Sequence, residues 1–409
     1  MLNLPAIHNA ASVKVFKRAL LALAVVALLS KGISLTRNLT PPVDDFIEYW
    51  SASRLLLAGK NPYSTEELSL LQRPFTGSET PLIMWNPPWA LSLLLPFGLL
   101  EYSASRWLWL ILNLGLLLFS ARCLWSRYVR WEGPPWLATG ATLVLAVTFL
   151  PGAVVLSLGQ IGPVILAGIV GFLSLVHRKQ YFKAGAMTLL IGLKPHLLFL
   201  FWIVLLFWVL RTRRWVLVAG AASALIFGAG LPLFFYGDLI SGYLGLVAKE
   251  SIFHHPSTTT GAFLRWMLGW ENVWLQVLPM APGILWAALY WRRHSANWDW
   301  YTRMPLVLLV SVVTACYGWV FDQTVLYPAL FQAAGWLLRT GQRHERFVAA
   351  VCYALINVAG LVLIALGLNG VAYVWMAPAW LVFYGTAAKL WAERAIREQP
   401  AGASEMLLL

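Results

Sequence analysis

Two adjacent carboxylates, Asp44 and Asp45, open the stretch DDFIEYWSASRLL, whose pattern predicts a short helix. If Asp44 caps this helix, Asp45 shares one face with Tyr49, and Glu48 lies close to that face. A fixed carboxylate can act as a general base on a hydroxyl group, whereas two neighbouring acids alone make a weak metal site. We therefore expect Asp44 to cap the helix and Asp45 to carry the chemistry.

Basic side chains stand at a predicted helix break further along the chain. Lys194 and His196 flank Pro195, which opens the backbone at this point. Cations here suit an anionic phosphate group, although lysines that snorkel and satisfied histidines are also common at membrane boundaries. His255 and Arg265, in FHHPSTTTGAFLRW, are further candidates for the phosphate site or ordinary loop residues.

Further polar and aromatic side chains lie at the ends of apolar segments. Gln160 stands in LSLGQIGP, and Asp322 and Gln323 stand between CYGWVF and TVLYP. These residues are candidates for sugar or acceptor binding, or else they cap and turn helices. Tyr49 and Trp85 are candidates for stacking on sugar rings, and aromatic residues of this kind also anchor proteins at the membrane interface.

The elements that position these residues are apolar. The chain of 409 residues is 60% hydrophobic and 11% charged, whereas an ordinary soluble domain has about 25% charged residues. The net charge is +13, but the basic residues form short clusters between apolar segments, which is the pattern of cytoplasmic loops. This composition indicates an all-α polytopic membrane protein and argues against nucleic acid as a partner.

Thirteen apolar segments are candidate membrane spans, since a span needs about 20 apolar residues and fewer where a helix is broken. They are 17–35, 83–100, 104–124, 136–157, 161–177, 182–193, 195–210, 215–235, 273–291, 304–321, 323–338, 347–367 and 371–391. Both termini read as cytoplasmic, which requires an even number of crossings. We expect about 12 spans, with 83–100 or 136–157 as a re-entrant segment because both contain prolines.

The whole chain, 1–409, reads as one membrane domain with a cytoplasmic tail at 392–409. Two long segments, 36–82 and 236–272, are predicted outer loops that carry short interfacial helices. Trp266, Trp270 and Trp274, spaced four apart, predict one such helix. The candidate functional residues then all lie on the outer side of the plasma (inner) membrane.

The sequence contains none of the usual signatures of soluble enzymes, including a P-loop, a dinucleotide fingerprint, GxSxG and HExxH. An energy source for chemistry on the outer side must therefore arrive through the lipid. A membrane enzyme fits this distribution best. A transporter or flippase of lipid-linked saccharides is an alternative that predicts charges near the bilayer midplane, and a saccharide ligase is another.

Several motifs together resemble glycosyltransferase family 87, whose members have the GT-C fold and include polyprenyl-phosphate-mannose-dependent mannosyltransferases. The motifs are DFIEYWSASRLLLAGKNPY (45–63), WNPPWALSLLLPFGLL (85–100), LGQIGPVILAG (158–168), AGAMTLLIGLKPHLLFLF (184–201) and FDQTVLYPAL (321–330). Trp85 departs from the pattern, since the family commonly has Tyr there.

The resemblance implies a GT-C-like bundle and an inverting transfer of a hexose, mannose in the first instance, without metal or cofactor. The donor would be a polyprenyl-phosphate sugar, and the acceptor a lipid or a glycan. Asp45 matches the position of the catalytic base, with Asp44 beside it as the alternative. Cations for the leaving phosphate would come from Lys194, His196, and also His255 or Arg265.

Overall fold

The computed structural model describes residues 43–249, 253 and 257–397. All regular secondary structure in these ranges is helical. The apolar segment expected at 17–35, His255, and the end of the tail lie outside the described residues.

The helices follow one another with short connections. They are α1 (Phe46–Leu57), α2 (Thr65–Thr76), α3 (Ala90–Gly98), α4 (Tyr102–Tyr128), α5 (Pro135–Thr148), α6 (Leu150–Leu158), α7 (Gly162–His177), α8 (Tyr181–Ile191), α9 (Phe199–Thr212), α10 (Trp215–Phe235), α11 (Leu239–Lys249), α12 (Thr260–Leu268), α13 (Trp274–Val277), α14 (Met280–His294), α15 (Trp300–Thr314), α16 (Tyr327–Thr340), α17 (Arg343–Ala365), α18 (Met376–Ala387) and α19 (Glu393–Arg397). Shorter 3-10 or π turns occupy Ser295–Asn297, Val320–Leu326, Gly370–Tyr373 and Ala388–Ala392.

Four helical stretches in the described ranges are long and apolar enough to cross a membrane. They are α4, α10, α17 and the run Gly370–Ala395, and the bent pair α5–α6 makes a fifth if it counts as one span. Five further apolar helices are shorter, with 10–17 residues. These helices indicate an integral membrane protein, and the count of about 12 spans stays a prediction.

Neither 83–100 nor 136–157, the two candidates for a re-entrant segment, forms one continuous straight helix. Segment 83–100 contains only the nine-residue helix α3, which at about 1.5 Å per residue is far shorter than the hydrocarbon core of a bilayer. Helices α5 and α6 meet at an angle of 64°. The break falls at Phe149, and Pro151 lies in the first turn of α6, where a missing N–H costs nothing.

Basic clusters and polar loops alternate along the chain. The basic cluster at 177–183 joins α7 to α8, and the basic cluster at 211–214 joins α9 to α10. The opposite end of α7 begins just after Gln160, and α8 is joined to α9 through Lys194. The Gln160 and Lys194 connections line one cavity, and no residue of these two basic clusters lines it.

Small residues allow the closest helix pairs to form. A Cβ atom on Gly185 of α8 would collide with the carbonyl oxygen of Leu217, and one on Gly220 of α10 would collide with that of Phe182. Glycines at such positions let membrane helices approach backbone to backbone. This contact fixes α8, whose C-terminal end leads directly into the Lys194 loop.

The prediction of a single helix from the tryptophan spacing at 266–274 is wrong. Helix α12 ends at Leu268 because Gly269 has a φ of +113°, a conformation that favours glycine. Trp274 begins the separate helix α13. The segment 236–272 does carry short helices, but these tryptophans do not share one helix face.

Candidate active site

Asp44 and Arg106 form a buried ion pair at the start of α1. The Arg106 Nη2 and Nε atoms lie 2.6 and 2.8 Å from Asp44 Oδ2, and the side chains are only 4% and 5% exposed. Asp44 Oδ1 also accepts a hydrogen bond from the backbone N–H of Phe46, at 3.1 Å. Asp44 lies one residue before the N-cap position, but its carboxylate satisfies the first N–H of the helix and is held there by Arg106.

Asp45 occupies the N-cap position of α1 but makes no side-chain capping bond. Its carboxylate instead accepts a hydrogen bond from Gln160 Nε2, with 2.9 Å between Nε2 and Oδ2. The two adjacent acids thus have different surroundings. Asp44 is enclosed by Arg106 and the backbone, whereas Asp45 lines a cavity.

Gln160 connects three polar side chains. Its Oε1 atom accepts hydrogen bonds from Tyr49 Oη at 2.9 Å and from Lys194 Nζ at 3.2 Å, while its amide nitrogen donates to Asp45. The two donors at Oε1 fix the orientation of the amide, because a flipped amide would place N–H groups against them. Gln160 thereby couples the acid of α1 to the cation of the Lys194 loop.

Lys194 forms a second ion pair beside this network. Its Nζ atom lies 2.7 Å from Asp322 Oδ1 and 4.8 Å from the centre of the Phe321 ring. Asp322 Oδ2 accepts the backbone N–H of Trp319 at 2.9 Å, and its side chain is 2% exposed. Asp322 therefore caps the 3-10 turn and also holds Lys194 at the edge of the cavity.

Gly159 places Gln160. It ends α6 with a φ of +70°, and a Cβ atom there would stand 2.7 Å from the Phe46 Cβ and 3.1 Å from Asp44 Oδ1. Its carbonyl oxygen accepts a hydrogen bond from Trp109 Nε1 at 2.7 Å. The glycine thus brings the end of α6 against the start of α1.

We expect Gly159→Ala to lower stability by more than Gly77→Ala, the matched control. Gly77 has a similar φ of +66° but open space around it, so its substitution costs only the left-handed conformation, about 1–2 kcal/mol. The extra loss at Gly159 measures the collision with α1. Thermal unfolding of both purified variants in detergent checks this, and equal losses would contradict the close contact.

The network borders a cavity of about 1230 Å³. It is lined by residues from six separate connections or helix ends: Asp45, Glu48, Trp85, Asn86, Gln160, Lys194, His196, Tyr317, Trp319, Phe321, Asn369 and Tyr373. Thr65, Glu66, Ser69, Glu79 and Thr80 form another polar part of the wall, and Val154, Leu158 and Ile364 form an apolar part. The space accommodates a sugar together with part of an apolar chain.

Burial changes the protonation of the groups that face this cavity. Desolvation raises the pKa of Asp45, against the effect of the Gln160 hydrogen bond and the Lys194 charge. It also lowers the pKa of His196 to about 4, so that this imidazole is neutral near pH 7. The His196 Nε2 atom is buried without a hydrogen-bond partner. Among the candidate phosphate ligands facing the cavity, the charge therefore resides on Lys194.

The structure brings most of the expected site residues together. Asp45, Trp85, Gln160, Lys194 and His196 line the cavity, and Tyr49 and Asp322 support it from behind. Gln323 is buried, with its Oε1 atom unpaired.

Arg265 is the clear exception among the described candidates. Its guanidinium group donates to the carbonyl oxygens of Phe253 and Trp270 and to Gln276 Oε1. It is 4% exposed and does not line the cavity. Arg265 instead ties together the loop around α12 and α13.

Sequence reasoning missed Arg106. The signal for it was present, because a lone cation near the start of a long apolar helix implies a partner.

Among the described residues, no group of three or more His, Cys, Asp or Glu side chains could hold a metal ion, and the absence of a metal requirement stays a prediction.

Comparison with protein families identifies a relationship over the middle of the chain. The family model described as glycosyltransferase family 87 matches residues 85–315, more than half of the chain. No curated protein and no solved structure matches this chain. The matched range includes Trp85, Gln160, Lys194 and His196, whereas Asp45 lies before it.

Proposed function

The chain belongs to glycosyltransferase family 87, and from this premise we propose that it transfers a hexose, mannose in the first instance, from a polyprenyl-phosphate sugar to a lipid or glycan acceptor. The observation that carries the proposal is the hydrogen-bonded series Asp45–Gln160–Lys194 at the edge of the cavity. A carboxylate and an ammonium group on the same wall support a transfer from a lipid phosphate, which needs a base and a cation.

In this mechanism Asp45 is the general base. Its carboxylate takes the proton of an acceptor hydroxyl group while that oxygen forms a bond to the anomeric carbon of the donor sugar. The bond between the anomeric carbon and the phosphate oxygen breaks, and its electron pair leaves with the lipid phosphate. Attack from the face opposite the leaving group inverts the anomeric configuration, through a transition state of oxocarbenium character.

Lys194 stabilises the leaving group. The departing lipid phosphate gains negative charge, and a fixed cation beside it lowers the barrier because the site is already organised for that charge. Asp322 and Gln160 hold the Lys194 ammonium group in place. His196 supplies a neutral ring with an unpaired nitrogen at the same wall.

The distribution of charge along the chain supports a location on the outer face. Basic clusters lie at the ends of the helices opposite the cavity loops, and basic loops are cytoplasmic in most membrane proteins. Segment 83–100 then serves as the re-entrant segment, and the remaining twelve candidates are the crossings. Both termini are cytoplasmic in this arrangement, in the plasma (inner) membrane.

A transfer assay tests the function. The purified protein in sealed proteoliposomes is given polyprenyl-phosphate mannose labelled in the sugar, an acceptor lipid extract, and in parallel the labelled nucleotide sugar. We expect label to move only from the polyprenyl-phosphate donor. Transfer from the nucleotide sugar instead would overturn the donor assignment, and movement of intact donor across the bilayer without transfer would favour a flippase.

Removing the cation should weaken donor binding. Lys194→Met alone leaves Asp322 buried and unpaired, so we pair it with Asp322→Asn to keep the fold. We expect the double variant to bind polyprenyl phosphate about 10- to 100-fold more weakly, since a charge-assisted hydrogen bond is worth about 1.5–3 kcal/mol. Isothermal titration in detergent measures this, with Asp322→Asn as the control. Equal affinity in the control and the double variant would exclude Lys194 from the phosphate site.

A further inference from the structure

A second carboxylate lies in the cavity one helical turn from Asp45. Glu48 is three residues further along α1, so both side chains are on the same face, and both line the cavity. Its neighbour Tyr49 is fully buried, and the Tyr49 hydroxyl group lies within hydrogen-bonding reach of both Glu48 and Gln160. The proposed reaction uses only Asp45, which leaves the role of Glu48 open.

The cations near this wall are already engaged. Lys194 is bound to Asp322 and to Gln160 Oε1, and His196 is neutral. Among the ion pairs of residues 43–249, 253 and 257–397, none includes Glu48. An ionised Glu48 would therefore add a second negative charge beside Asp45 without a cation of its own.

Two ionised carboxylates at this wall would be unfavourable for binding an anionic lipid phosphate. The groups that face Glu48 are Asp45 and Tyr49 at the start of α1, Gln160 after α6, Lys194 on the loop between α8 and α9, and Tyr317 on the loop after α15. Lys194 and Asp322 offset each other. The ionised Asp45 then leaves a net negative charge at this wall, and ionisation of Glu48 would add a second negative charge, which would repel an entering phosphate strongly in a partly desolvated site.

We propose that Glu48 is a donor-binding residue that acts in its protonated form, giving its O–H to the phosphate of the lipid-linked sugar while the neighbouring Asp45 stays ionised. This inference rests on the proposed function. Two carboxylates in one cavity are often separated into an acid form and a base form by their surroundings.

The protonation behaviour of Glu48 agrees with this role. Desolvation raises the pKa of Glu48 well above its usual value, the Asp45 charge raises it further, and Lys194 lowers it. As the pH rises through this elevated pKa, Glu48 loses its proton and the phosphate loses a hydrogen-bond donor and gains a repelling charge. Donor affinity therefore falls on the alkaline side.

The test uses a probe whose own charge does not change. A short-chain polyprenyl methyl phosphodiester carries one negative charge throughout the range from about pH 5 to about pH 9. Its dissociation constant is measured for the wild type, Glu48→Gln and Glu48→Ala in detergent. We expect wild-type affinity to fall about tenfold or more towards alkaline pH, whereas Glu48→Gln, which still donates an N–H, lacks this alkaline fall.

Glu101→Gln is the matched control, because Glu101 is exposed, makes no side-chain capping bond and does not line the cavity. It should keep the wild-type pH profile. Glu48→Ala should bind more weakly than Glu48→Gln at every pH. A pH profile of Glu48→Gln that matches the wild type, or a flat wild-type profile, would overturn the proposal.

The outcome separates this inference from the proposed reaction. If the wild type binds the phosphodiester with the expected pH profile but transfers no sugar, the transferase proposal fails while the role of Glu48 in binding a lipid phosphate stands. If the wild type transfers sugar but Glu48→Gln keeps the wild-type pH profile of binding, only the Glu48 inference fails.

Discussion

Asp45→Asn should abolish most sugar transfer, lowering kcat by about 10²- to 10⁴-fold, the usual contribution of a general base. The amide cannot take the acceptor proton, although it can still accept the hydrogen bond of Gln160. The fold should persist, because Asp45 makes no capping bond to α1. Initial rates with purified protein and labelled donor measure the loss.

Asp238→Asn provides a control of the same chemical change. Asp238 is an exposed acid outside the cavity lining, so its substitution should leave transfer at the wild-type rate. Full activity of Asp45→Asn would refute the base assignment. If Asp44→Asn alone is inactive and well folded, the roles of the two adjacent acids are exchanged.

The same assignment predicts the acid limb of the pH profile. Because burial raises the pKa of Asp45, the base takes up a proton at a higher pH than an ordinary aspartate does. We therefore expect kcat to fall on the acid side, beginning above the usual carboxylate range.

Arg106→Met should be the most destabilising single change near the site. Removing one partner of a buried ion pair leaves the other charge uncompensated and typically costs about 3–5 kcal/mol. Asp44 is 5% exposed, and with Arg106 gone it keeps only the Phe46 N–H. Thermal unfolding in detergent, followed by tryptophan fluorescence, should show a large fall in Tm.

The second substitution Asp44→Asn should recover much of this loss. The neutral amide no longer needs a cation, and its oxygen can still accept from Phe46. A double variant no more stable than Arg106→Met would contradict the pairing, as would a single variant with wild-type Tm. Transfer by the double variant should remain measurable, since Asp45 keeps its contact with Gln160.

The sequence predicted the pieces of the site better than their contacts. Gln160, Lys194 and Asp322 were recognisable because polar groups at the ends of apolar segments are expensive to place without a purpose. Their hydrogen bonds depend on which helix ends meet, and that is decided by packing such as the glycine contact between α8 and α10. Periodicity carries no information about such long-range neighbours.

Arg265 and the tryptophans around 270 show where local pattern misled. A spacing of four predicts a shared helix face only while the helix continues, and Gly269 ends it. The same turn presents the Trp270 carbonyl oxygen to the Arg265 guanidinium group. An arginine that looks available in sequence is thus occupied by the backbone of its own loop.

The amide of Gln160 also has a consequence for the fate of the acceptor's proton. Lys194 and Tyr49 both donate towards Gln160 Oε1, and the amide nitrogen donates towards Asp45. An amide does not relay protons as a water chain or an imidazole does, so the route from Asp45 back to Asp322 is closed. If Asp45 is the base, its proton leaves through the cavity itself, either to water at the mouth or to the departing lipid phosphate, whose second pKa is about 6.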